Sequence, residues 1–109
     1  MSHPPLTERQ LLDSIGDLLD YHGLLWDHFR PARTQHGWVT PLQGHKGAPD
    51  LRIVGTRLIH AELKSDKGKL GDEQSVWLNA LRAAGAEVYV WRPSDWWDGT
   101  IDRVLETLT

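Results

Sequence analysis

The chain has 109 residues, enough for one domain with a single hydrophobic core. Its 39% apolar and 25% charged residues are those of an ordinary globular protein, with no apolar run near the ~18–20 residues that cross a bilayer, so no membrane partner is expected. The lack of cysteine excludes a disulfide framework and a thiolate zinc site and fits a reducing cytoplasm, while a net charge of −3 excludes a uniformly basic phosphate-binding surface.

Met1 to Thr7 lacks the basic and then apolar pattern of a secretory signal, and His3-Pro4-Pro5 reads as an extended lead-in. Thr7-Glu8-Arg9-Gln10 is a capping box, with Thr7 as N-cap and Gln10 reaching back. Leu11, Leu12, Ile15, Leu18 and Leu19 follow at helical spacing, and Gly23 stops the helix. Leu24 to Phe29 is short, apolar and aromatic, so a strand is expected. Arg30 to Pro49 is broken at His36-Gly37, Thr40-Pro41 and Gly44 through Pro49. It reads as a long irregular loop with a short extended piece at Trp38-Val39.

Asp50 to Val54 and Arg57 to Lys64 read as two strands of a hairpin, joined by Gly55-Thr56 in a type II′ turn. The register then sets Val54 against Arg57 and Arg52 against Ile59, with Asp50 near Ala61 and Glu62. In the second strand Leu58, His60, Glu62 and Lys64 share one face, and Ile59, Ala61 and Leu63 the other. Ser65 to Gly71 is a polar loop. Asp72 to Ala84 is a helix with acids in its first turn, an apolar stripe of Val76, Trp77, Ala80, Leu81 and Ala84, and Gly85 as its stop. Ala86 to Trp91 is a strand, Ser94-Asp95 caps a turn, and Thr100 to Leu108 is a last helix with Ile101, Val104, Leu105 and Leu108 inward. The order α-β-β-β-α-β-α predicts an α/β fold, a mixed central sheet flanked by helices. Its second helix is long enough to cross over to a parallel strand.

The chemistry concentrates in Gly47-Ala48-Pro49-Asp50 and, eleven residues on, Glu62-Leu63-Lys64. Glu62 and Lys64 project from one face of a strand, and a small bulge or twist in the hairpin would bring Asp50 to the same end. Carboxylate oxygens are hard ligands suited to Mg²⁺. A metal ion held there can activate water and neutralise a phosphate. Lys64 can hold the attacking water or stabilise the developing oxyanion, and the Leu63 carbonyl, between the two side chains, is a further ligand candidate. Between Gly44 and Lys69, six basic residues (Lys46, Arg52, Arg57, Lys64, Lys67, Lys69) face three acids (Asp50, Glu62, Asp66), a basic centre on an acidic body. Lys46, Lys67 and Lys69, with His45, are candidates for substrate phosphates. Trp77 and Trp91 fit core positions, and Trp96-Trp97 fits base stacking, the core or a dimer contact, the last two being favoured. The six histidines lack a zinc-like spacing.

Pro49-Asp50, Glu62-Leu63-Lys64, Gly68-Lys69-Leu70 and Gln74 together resemble the PD-(D/E)xK nuclease superfamily, most of all its VRR-NUC branch and phage Holliday-junction resolvase-like enzymes. Glu8 matches the acidic residue that many of these enzymes place near the metal. The resemblance implies a restriction-endonuclease-like core over 1–109 as a single nuclease domain. It implies Asp50 and Glu62 as metal ligands, Lys64 as the catalytic lysine, and Glu8 and Gln74 as supporting residues. The implied activity is Mg²⁺-dependent hydrolysis of DNA, with Mn²⁺ as a substitute, leaving a 5′-phosphate. Branched, flapped or junction DNA in repair, recombination or phage DNA processing would be the substrate, in a bacterial or phage-infected cytoplasm. A homodimer suits symmetric junctions, and a partner protein could supply targeting. The competing readings are a non-catalytic DNA-binding module and a protein-interaction module on the same fold.

Overall fold

The structure, a computed structural model, describes residues 3–29, 32–34, 37–39 and 42–109; for 32–34 and 37–39 it describes the backbone alone. Helix α1 (Glu8–Tyr21) begins at the capping box expected for it. Thr7 Oγ1 accepts the Gln10 N–H at 3.0 Å, and Gln10 Oε1 accepts the Thr7 N–H at 2.9 Å. Its buried stripe is Leu11, Leu12, Ile15, Gly16 and Leu19. Strand β1 (Leu25–His28) follows.

Where a long irregular loop is expected, the chain forms a small separate hairpin, β2 (Ala32–Thr34) and β3 (Gly37–Val39). The extended piece at Trp38-Val39 is part of β3. The break at Thr40-Pro41 and His36 lie outside the described residues. Strands β4 (Leu51–Val54) and β5 (Leu58–Leu63), helix α2 (Asp72–Ala83), strand β6 (Val88–Trp91) and helices α3 (Pro93–Trp97) and α4 (Thr100–Glu106) complete the chain.

The main sheet runs β1-β4-β5-β6. β4 is antiparallel to both neighbours, and β6 is parallel to β5 after the α2 crossover. This is the expected mixed sheet flanked by helices. One face carries Leu51, Ile53, Ile59, Ala61, Leu63 and Trp91, packed with α1 and with Ile101, Leu105 and Leu108 into the core. Trp26 on β1 joins this layer, its indole N–H donating to Asp20 at 2.8 Å. The opposite face carries the polar row and is overlaid by α2.

The β4–β5 hairpin differs from the expected one. Val54 pairs with Leu58, Arg52 with His60 and Leu51 with Ala61, so the loop is Gly55-Thr56-Arg57 and the register moves by one residue. Gly55 does not adopt positive φ, which removes the type II′ turn. Its lack of a side chain serves a different need. A Cβ there would lie 2.2 Å from the Leu108 carbonyl oxygen, which instead accepts the Thr56 N–H at 2.8 Å. The C-terminus closes over the hairpin only because position 55 is glycine.

Helix α2 is also rotated from its expected stripe. Leu78 is buried while Val76, Ala80 and Ala84 are exposed. Gln74, Leu78 and Leu81, at helical spacing, form the face turned toward the sheet.

Candidate active site

Continuing the observed register one step past Leu51 and Ala61 sets Asp50 directly opposite Glu62, on the α2 side of the sheet. The slipped register thus unites the carboxylates more closely than the expected one, without a bulge. Asp50 ends the loop from Gly44. That loop is seated on α2 by Gly47, whose φ of 108° and missing Cβ let it approach the Glu73 backbone. The Trp77 indole N–H donates to the carbonyls of His45 (3.2 Å) and Lys46 (3.1 Å). Trp77, expected in the core, is half-buried and serves as the tie between α2 and this loop.

Glu62 is 1% exposed, the only buried charged side chain among the described residues. Its Oε1 accepts from Gln74 Nε2 at 3.3 Å, and its Oε2 has no hydrogen-bond partner. Gln74 Oε1 accepts the Gly71 N–H at 2.8 Å, which fixes the amide so that its NH₂ faces Glu62. Asp50 Oδ2 accepts the Leu63 N–H at 2.8 Å. Burial raises the Glu62 pKa to about 9, and the neighbouring Asp50 carboxyl pushes the same way. Lys64 opposes this rise, and Glu8 adds weakly to it. A buried Glu62 carboxyl with an orphaned oxygen, facing the part-buried Asp50, lacks positive charge, and a divalent cation with hard oxygen preference fits that deficit.

Lys64 continues the Glu62 face. Its backbone N–H pairs with the Trp91 carbonyl at 3.0 Å. The Leu63 side chain lies in the core, and its carbonyl sits between the Glu62 and Lys64 positions. Glu8, exposed in the first turn of α1, is near enough for its charge to act on Glu62. It does not join a ligand cluster, since no group of three or more His, Asp or Glu residues spaced to hold a metal occurs among the described residues.

The basic centre is smaller than the sequence suggests. Arg52 is bound by Asp27 (2.5 Å), Arg57 by Glu87 (2.7 Å) and Lys46 by Glu73 (3.5 Å). These three acids lie outside the 44–69 segment. Among the described residues no carboxylate pairs with Lys64, Lys67 or Lys69. The latter two are exposed on the 65–71 loop. Arg92 shapes that loop, donating from Nη1 to the carbonyls of Ser65 (2.6 Å) and Gly68 (2.7 Å). Sequence reasoning assigned Arg92 no role; only its position directly after a strand flanking the motif hinted at one. His45 is exposed and borders the same cleft as Asp50. His60, one row from the carboxylates, has its pKa lowered by burial and by Arg52.

Neither family models, nor characterised proteins, nor solved structures match this chain.

Proposed function

We propose that the chain is a metal-dependent nuclease of the PD-(D/E)xK type that hydrolyses DNA phosphodiester bonds. The observation that carries this reading is the juxtaposition of two carboxyls, Asp50 and the buried, half-satisfied Glu62, beside Lys64 at one end of the hairpin. Asp50 and Glu62 would hold Mg²⁺ or Mn²⁺, with the Leu63 carbonyl as a further oxygen. When bound, the ion lowers the pKa of water and offsets charge on the attacked phosphate. Gln74 and the Leu63 N–H hold the two carboxylates in orientation, so little reorganisation is needed as charge develops. The Lys64 ammonium stabilises the oxyanion of in-line attack. Lys67 and Lys69 take phosphates along the strand, and Glu8 adds negative potential at the metal side. Lys46 and His45 border the cleft that contains Asp50, with Lys46 available to DNA by exchange from its exposed partner Glu73.

A homodimer belongs to the same proposal. Leu25, Val54 and Leu58 pair across β1, β4 and β5 into an exposed apolar row, of the kind that marks contact surfaces. The test of function is incubation with linear, nicked, flapped and four-way DNA in Mg²⁺, Mn²⁺ or EDTA. Cleavage with either metal and none in EDTA is expected. Salt-sensitive binding without cleavage on every substrate would favour the non-catalytic DNA-binding module instead.

A further inference from the structure

The α2 side of the sheet carries a cleft of about 420 Å³ that begins at Asp50 and runs back between β1, β4 and α2. This is the size of a small-ligand site, which typically spans ~300–1,000 Å³. Arg52 and His60, directly paired across β4 and β5, lie on its floor. Phe29, Leu42 and Trp77 line its sides. The floor is fixed and electrically balanced, because Arg52 grips Asp27 through both Nε (3.2 Å) and Nη2 (2.5 Å). The Trp77 N–H is consumed by the loop carbonyls, so its ring offers the cleft an apolar surface. Phe29 is half-exposed with no other partner for its ring among the aromatic contacts of the described residues. The Arg52–His60 row is the next row on the same face after Asp50–Glu62, roughly 7 Å along the strand, a distance one nucleotide spans.

We infer that this cleft receives one unpaired nucleobase of a DNA strand whose neighbouring phosphate lies at Asp50 and Glu62. Aromatic and apolar walls stack a base regardless of its identity. The imidazole and guanidinium below offer hydrogen-bonding groups to its polar edge. A base inside a closed duplex cannot reach such a cleft without leaving its stack. The inference rests on the nuclease reading and narrows its substrate class to single strands, flaps and unpaired junction arms.

The experiment is fluorescence anisotropy in EDTA at low salt, with a labelled oligothymidine, an abasic strand of equal length and a blunt duplex. Both single strands carry the same phosphates, so they differ only in the bases. The full chain should bind the thymidine strand about tenfold more tightly than the abasic one, as one stacked base allows. Phe29→Ala should lower thymidine binding to the abasic level, and Phe29→Tyr should restore it. Equal affinity for the two single strands, or a base preference that survives Phe29→Ala, would overturn the inference. Parallel cleavage in Mg²⁺ separates the two claims. Cleavage without base preference removes the cleft proposal and leaves the nuclease. Base preference without cleavage in any metal keeps the cleft and removes the nuclease.

Discussion

Glu62 concentrates the tension in the molecule: a carboxyl almost wholly withdrawn from water, facing a second carboxyl, with one oxygen unmatched. Its folded-state pKa is raised from 4.5 to about 9. The folded protein therefore holds this proton more tightly than the unfolded chain does. The benefit is complete below about pH 4.5 and is lost progressively as pH rises toward 9. In metal-free protein, Glu62→Gln should match the wild type near pH 4.5 and be more stable near pH 9 by about 1–3 kcal/mol, allowing for relaxation around the site. Thermal unfolding in EDTA at the two pH values measures this, and a gap independent of pH would refute it. The pair itself was legible in the sequence, because Pro49-Asp50 and Glu62-Leu63-Lys64 differ from ordinary charged surface by sitting on a hairpin. The Gln74 contact was legible only through resemblance. A polar residue on a helix is invisible to apolar periodicity even when it occupies the buried stripe.

Elements were read well where local signals act alone, and less well where a distant segment intervenes. The capping box of α1, the parallel crossover of α2 and the inward face of α4 all follow from spacing. The hairpin turn does not, because Gly55 answers to Leu108, more than fifty residues away. Gly55→Ala should destabilise the fold by about 1–3 kcal/mol through overpacking, readable as a lower urea midpoint with an unchanged slope. An unaltered midpoint would mean that the C-terminus does not close on the hairpin. The rotation of α2 has a similar origin. Gln74 binding Glu62 and Trp77 binding the 45–46 carbonyls turn the helix away from its most apolar side. Arg92 acts on the 65–71 loop in the same long-range way. Arg92→Gln removes charge-assisted bonds to two carbonyls, so the Gly68 amide, bonded to Ser65 at 3.2 Å, should exchange with solvent several-fold faster. Unchanged exchange would show that the loop holds itself.

Across the whole molecule, charges far apart in sequence neutralise one another, and this separates structural cations from those left for a ligand. Arg57 is clamped by Glu87 and also reaches Thr107 Oγ1 at 2.9 Å, joining the β4–β5 loop, the approach to β6 and the C-terminal residues. Tyr89 donates to the same Glu87 carboxylate. The Arg57 guanidinium, with Tyr89, holds the Glu87 pKa down to about 2. Its contribution is therefore present above about pH 4.5 and lost as pH falls toward 2. Glu87→Gln should cost about 1 kcal/mol at pH 7, after solvent screening of this partly exposed pair, and nothing near pH 2; an equal cost at both would contradict the clamp. No helix of the described residues is long and apolar enough to cross a membrane. Among the described residues, Lys64, Lys67 and Lys69 beside the Asp50–Glu62 carboxyls have no ion-pair partner. The most direct test of that arrangement is single-turnover cleavage of a flapped DNA in Mg²⁺ by the wild type, Asp50→Asn, Glu62→Gln and Lys64→Met, each checked for folding by circular dichroism. Every variant should lose about a hundredfold or more in rate, as removal of one charge-stabilising group does. Folded variants that cut within about twofold of the wild-type rate, far short of the loss expected on removing such a group, would place the chemistry somewhere else.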